Sequence, residues 1–445
     1  LIYSQTEILF FFGIQKIFYL KTKMINSRKK AVLIYILVSL FLCFEMGVQV
    51  SPSVMTGELM QDLHLDSFYL GLMSGLYFYT YTLMQIPAGL LFDRFNIRYV
   101  IILPLLICSL GVYLFSISGG LWSASFARLL MGGGSAFAFI AVLVIASEVF
   151  PRQYFATLAG ITQMLAAFGA MSSELVLTPF INFLGWRQAT QVIALAGIAL
   201  ALFIWIFVRY RRANIVGENT HSYRESLQRV ILKKQTWLIA SYAFLLWAPM
   251  AAFASLWGVP YLTHAYSLSN IKAAEAVSLM WLGIAFASPL LGLWSDRCQS
   301  RTIPLTVSAL VGLISFLVII FAFTDSKMIL ITMLLLAGGA CSGQALTFAV
   351  IKDISQKSEL ASAIGFNNMA VVVAGAIFQP LTGWLIHFHS AKPQITPYTI
   401  LTTSDYRFGL IVILLCYLFG LILSSFFIKE TLPLNFRKLF KRESE

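Results

Sequence analysis

Gly89-Leu-Leu-Phe-Asp93-Arg94-Phe-Asn-Ile-Arg98 occurs a second time as Gly292-Leu-Trp-Ser-Asp296-Arg297-Cys-Gln-Ser-Arg301. Both copies follow G-x-x-x-D-R-x-x-x-R, end a long apolar run and open a basic loop. One polar signature used twice, each time between membrane-length segments, points to a duplicated membrane protein with two matching halves.

The surrounding chain has the composition this requires. Of 445 residues, 59% are hydrophobic and 11% charged, whereas a soluble domain carries about a quarter charged residues. Apolar runs of about 20 residues recur, the length that crosses a hydrocarbon core as helix. The ten-residue alternating strands of an outer-membrane barrel are missing from the pattern. The fold expected is an all-α polytopic membrane protein of twelve transmembrane helices in two six-helix halves. The first half (31–208) reads as spans at 31–52, 67–91, 98–118, 122–147, 155–180 and 188–208. A polar linker (209–235) leads to the second half (236–428), with spans at 236–260, 273–295, 302–323, 328–350, 361–386 and 407–428, and a tail (429–445). Residues 1–30 form an N-terminal segment. Met24-Ile-Asn-Ser-Arg-Lys-Lys reads as the start, with 1–23 an over-extension or, alternatively, an interfacial helix at Ile8–Leu20.

The net charge of +12 is a matter of topology rather than of nucleic-acid binding. Lys and Arg crowd onto alternate connections, among them Arg94/Arg98, Arg152, Arg209 to Lys234, Arg297/Arg301 and Lys352/Lys357. The opposite side has Arg187, Lys272, Lys327, Lys392 and Arg407. This bias places both termini in the cytoplasm. Five scattered cysteines and the His387/His389 pair have no metal-ligand or redox spacing, so no metal site is expected.

The repeat extends beyond the signature. Gly134, Glu148, Ala156 and Gly160 match Gly339, Asp353, Ala361 and Gly365, and Gln163 falls on Asn368. Repeated six-span units place a solute site at the midplane between them. The two signature loops resemble those of the major facilitator superfamily over nearly all of residues 31–430. Arg128-Leu-Leu-Met-Gly132-Gly-Gly134 resembles its fourth-span motif, and Gly185-Trp186-Arg187 the opening of span six in anion:cation symporter relatives. Ser51-Pro52-Ser53-Val54-Met55 and Met84-Gln85-Ile86-Pro87-Ala88-Gly89 resemble the phagosomal nutrient transporter group of intracellular bacteria. The resemblance implies a monomer in the bacterial inner membrane that imports a nutrient by alternating access, amino acids or related metabolites ahead of organic anions. It needs no cofactor and draws on the proton gradient. Two residues depart from the pattern. Asn96 stands where the loop usually has Gly, a position where Asn tolerates left-handed backbone. Glu45 lies near where phosphate-type relatives offer Arg, which weakens an organic-phosphate substrate and favours cation or proton handling.

Ionisable groups within spans are costly and usually functional. Glu45 lies about 14 residues, roughly 21 Å, into the first helix. Arg128 and Glu174 fall at a similar depth, so Arg128 is expected to pair with either acid as a proton or substrate switch; the plainer role is a permanent packing clamp. Gln49 shares the face of Glu45. Tyr77, Tyr81 and Trp247, with Gln163, Gln344 and Asn368, complete the candidate substrate and proton-coupling set. For the aromatics, helix packing competes with cavity lining, and for the amides an interhelical hydrogen bond does. The cytoplasmic gate expected from the signatures comprises Gly89, Asp93, Arg94, Arg98, Glu148 and Arg152, with Gly292, Asp296, Arg297, Arg301 and Asp353 as its second-half counterpart. Asp93→Asn is expected to leave folded protein in the membrane while cutting transport. No P-loop or catalytic constellation points to an ATP-driven pump or an enzyme. The rival readings are a proton-driven exporter of drugs or siderophores and a non-transporting solute receptor.

Overall fold

A computed structural model describes residues 32–150, 155–208, 223–321, 326–356, 360–390 and 401–432. The proposed start at Met24, the interfacial alternative, Arg152, linker residues 209–222 and the tail from 433 lie outside them.

Among the described residues, eleven helices are long and apolar enough to cross a membrane: α1 (Val32–Val54), α3 (Ile97–Ser116), α4 (Leu121–Ala146), α5 (Ile161–Leu184), α6 (Trp186–Phe207), α7 (Lys234–Ala265), α8 (Asn270–Cys298), α9 (Thr302–Phe321), α10 (Lys327–Ile354), α11 (Ser362–Ser390) and α12 (Thr403–Phe427). The 28-residue helix α2 (Ser67–Arg94) lies between α1 and α3. In lipid each backbone N–H and C=O must be satisfied within its own segment, which makes the helix the form these apolar runs take. Within the linker, Tyr223–Leu232 forms a short helix ahead of α7.

The signature loops turn in different ways. Asn96 is extended (φ −64°, ψ 122°), and its side chain accepts from the Arg98 N–H as the N-cap of α3. The left-handed turn expected at Asn96 is thus replaced by a cap, a role Asn performs well. In the second loop Gln299 adopts the left-handed conformation (φ 50°) that ends α8.

Within each half, glycines bring backbones together. A Cβ on Gly132 of α4 would meet the Tyr77 carbonyl of α2, and one on Gly338 of α10 would meet the Met280 carbonyl of α8. Small residues allow this approach, and dispersion then holds helices for which lipid offers no hydrophobic drive to associate. Between the halves, α2 packs on α11 and α5 on α8. The α2–α11 seam is tightest away from the signature loops. A Cβ on Gly71 would lie 2.5 Å from the Gln379 carbonyl, and one on Gly75 would lie 3.0 Å from Pro380 Cδ. Ser67 Oγ donates to the Gly383 carbonyl at 3.1 Å, and Asn270 of α8 donates to the Val54 carbonyl of α1 at 3.1 Å. A Cβ on Gly89, Gly292 or Gly365, nearer the loops, would meet nothing within 4 Å. Among the described residues the halves are therefore joined most closely at the end opposite the signature loops, here termed the far end.

Candidate functional site

The central charged groups come together through an aromatic ring. Glu45 on α1 and Tyr77 on α2 are both fully buried, and the Tyr77 hydroxyl donates to Glu45 Oε1 at 2.7 Å. The Arg128 guanidinium carbon lies 4.7 Å from the centroid of the same ring. Arg128 donates to the carbonyls of Val48 and Ser74, both at 3.2 Å. The expected Arg128–carboxylate pair does not form with either Glu45 or Glu174. Carbonyls at the ends of α1 and in α2 lie closer to the guanidinium and take its protons, and a cation–π contact takes the place of the ion pair. Glu45 Oε2, Arg128 Nε and Ser74 Oγ are buried with no hydrogen-bond partner. Such orphaned polar atoms are expensive to bury and uncommon in folded proteins.

Glu174 sits elsewhere. It lies in a π-helical turn of α5, Ser173–Leu177, and faces α8 of the other half. The Trp281 indole approaches its carboxyl outside hydrogen-bonding geometry, so that both Glu174 oxygens and Trp281 Nε1 are buried without a partner. Trp247 meets Trp281 edge-on at 6.4 Å. Gln49 is buried one turn from Glu45, and Tyr81 packs 5.9 Å from Tyr77. Asn368 of α11 donates to Gln85 of α2 at 3.3 Å, an interhelical bond that crosses between the halves. Its neighbour Asn367 donates to Thr347 of α10 at 2.8 Å. Gln344 is buried on α10 and Gln163 half-buried on α5. An apolar cleft of about 530 Å³ between α2, α3 and α4, lined by Met84, Leu91, Tyr99 and Phe137 among others, lies apart from these groups.

At the signature-loop end, Arg301 donates from Nε to Asp353 at 2.9 Å and from Nη1 to Asp296 at 2.7 Å. Burial alone would lower the Arg301 pKa, but the two carboxylates outweigh it and raise it above the ordinary value. Glu430, which the sequence did not single out, completes this cluster. Its carboxylate accepts from Ser300 Oγ at 2.5 Å, from Thr302 Oγ1 at 2.8 Å and from the N–H groups of Arg301 and Thr302, closing the N-terminus of α9. Burial would raise its pKa. The Ser300 hydroxyl and the backbone N–H groups of Arg301, Leu432 and Thr302 overcome that and hold it at about 2. Arg297 is exposed. In the first half, Arg98 turns to α6, and its expected partner Glu148 has a side chain outside the described residues. Arg98 donates to the Trp205 carbonyl and stacks 3.9 Å over the Trp205 ring. The side chains of Asp93 and Arg94 lie outside the described residues as well.

The far end has its own polar contacts. Trp186 Nε1 donates to Asp62 at 2.9 Å, and Arg187 donates to the Ser118 carbonyl at 2.7 Å. Asp66, the N-cap of α2, faces His387 of α11 at 3.5 Å, and His389 meets Asp405 at 2.7 Å. Glu430, Trp281 and Asp66 went unread because their partners are distant in sequence. An acid just beyond the last apolar run was the one available signal for Glu430.

The profile of the Major Facilitator Superfamily matches the chain twice, over residues 37–259 and 243–444. The chain is 26% identical over 402 residues to the probable galactarate/D-glucarate transporter GudP of Bacillus subtilis (strain 168), covering 81% of this chain and 87% of that one. It is 24% identical over 266 residues to the transporter YybO of the same organism, covering 55% of this chain and 60% of that one. Among solved structures, a bacterial homolog of the human lysosomal transporter Spinster, in an inward-facing and unoccupied conformation, superposes with TM-score 0.73 at 18% identity over 90% of this chain and 96% of that one.

Proposed function

The chain belongs to the major facilitator superfamily, and on that premise we propose that it is a proton-coupled importer of a small carboxylate-bearing metabolite. It works by alternating access in a bacterial inner membrane, with the basic loops in the cytoplasm. The observation that carries the reading is the buried Glu45–Tyr77–Arg128 cluster, with Glu45 Oε2 and Arg128 Nε unpartnered. A carboxyl that can take up or release a proton beside a fixed guanidinium couples the local charge to occupancy by an anionic group. An amino acid and a sugar diacid both carry such a group, and the likeness to GudP adds weight to the diacid.

The test is uptake of radiolabelled D-glucarate and of an amino-acid mixture into proteoliposomes under imposed proton gradients. Accumulation is expected when the solute side is acidic, with loss under a protonophore and in Glu45→Gln. Gradient-driven extrusion would instead favour the exporter, and solute binding without flux the receptor.

A further inference from the structure

Glu174 is a second buried acid that the Glu45 cluster does not use. It is 1% exposed, neither oxygen has a hydrogen-bond partner, and the neighbouring Ser173 Oγ is likewise buried and unpartnered. The π-helical turn that carries it, Ser173–Leu177, interrupts the regular helix where α5 lies against α8. Single π turns inside α-helices often sit at functional positions, because the extra residue re-aims a side chain.

Among the described residues, the groups around Glu174 offer it no counter-charge. The turn is packed by α8 and by the 3-10 end of α1, Ser51–Val54. The acid of α1 is Glu45, whose bond goes to Tyr77, and Cys43 on the same helix donates to the Leu165 carbonyl. On α8, Lys272 is exposed and pairs with Glu275 at 2.7 Å, while Asp296, Arg297 and Cys298 lie at the opposite end of that helix. Trp281 of α8, which approaches the carboxyl, carries no charge. An ionised carboxylate enclosed in this way is strongly disfavoured, whereas the acid form can be buried. Once α5 and α8 part, water reaches the carboxyl and the penalty on its charge falls away.

We propose that Glu174 is a proton-binding site that governs the α5–α8 seam: the far mouth closes only while this carboxyl holds a proton. This rests on the alternating-access reading, but its test needs no solute, so absence of flux would sink that reading without touching this measurement. Closure delivers a proton into the closed state, and release of the proton accompanies reopening.

The experiment uses full-length protein in lipid nanodiscs, with the five cysteines replaced and spin labels at Gln61→Cys and Lys272→Cys, exposed far-end positions on opposite halves. Electron–electron double resonance is read between pH 5 and pH 9. The parent is expected to move population from short to long distances as pH rises. Glu174→Gln is expected to keep the short distance throughout, with at least about fivefold less long-distance population at pH 9, a shift of ~1 kcal/mol. A Glu174→Gln protein whose distances follow pH as the parent's do overturns the proposal, because the switching would then belong to another group such as the Asp66–His387 pair. Should that variant not fold, Glu174→Asp retains the acid one methylene further back. It is expected to shift the midpoint of the transition, and an unchanged midpoint likewise overturns the proposal.

Discussion

The Tyr77 hydroxyl lies 2.7 Å from Glu45 Oε1, and this single bond is the only hydrogen bond the buried carboxyl receives among the described residues. Tyr77→Phe removes it without changing the shape of the ring. Leaving a buried acceptor unsatisfied costs about 1–3 kcal/mol, so the variant is expected to unfold at lower temperature in detergent. If transport is coupled to protons as proposed, solute flux into proteoliposomes under an imposed proton gradient should also show a displaced pH optimum. Parent-like melting together with a parent-like pH profile would deny Tyr77 its role in holding Glu45.

Arg128 uses its planar geometry, with separate donors on the Val48 and Ser74 carbonyls and its face on the Tyr77 ring. Lysine keeps the charge but offers neither the fork nor the stacking plane. Arg128→Lys is expected to lose about 2–3 kcal/mol of stability, within the range for disrupting a buried polar network. Differential scanning fluorimetry of the purified variant reads this directly.

Glu430 makes stability depend on acid in a defined direction. Its folded-state pKa of about 2 lies below the ordinary value of 4.5. The stabilisation is thus fully present above about pH 4.5 and is lost as pH falls towards 2. Melting temperature should drop through that window in the parent, and Glu430→Gln should lower it at neutral pH and flatten the acid dependence. Equal slopes for the two proteins would remove Glu430 as the source.

Two glycines separate stability from conformation. Gly338 meets the Met280 backbone within the second half, so Gly338→Ala is expected to overpack α8 against α10 and cost about 1–3 kcal/mol. Gly71 meets Gln379 and Pro380 across the halves. Gly71→Val should leave each half intact while disfavouring closure of the far end, read as a longer distance between spin labels at positions 61 and 272.

The helices and their order were legible because each span is a run of apolar residues, and the repeat was legible because Asp296, Arg301 and Asp353 are spaced as their motif requires. The charged core was legible as residues but not as bonds. Depth along a helix follows from residue count, whereas the direction of a long Arg side chain depends on which carbonyls it meets. Arg128 therefore went to Val48 and Ser74 rather than to an acid. Turn chemistry misled in the same way at Asn96, where the side chain caps a helix instead of tolerating a left-handed backbone. Glu174 and Trp281 lie on different halves, and no local pattern relates them.

The Glu430 cap has a bearing on how the chain is made. The N-terminus of α9 has orphan N–H groups that need an acceptor, and that acceptor arrives only after α10, α11 and α12 have been synthesised. Domains emerge from the ribosome N-terminal end first, so the first half can assemble while the α8–α9 hairpin still waits for its last partner. Insertion of the second half is thereby completed from its own C-terminal side, and a fusion partner joined directly after α12 would compete with the step that finishes it.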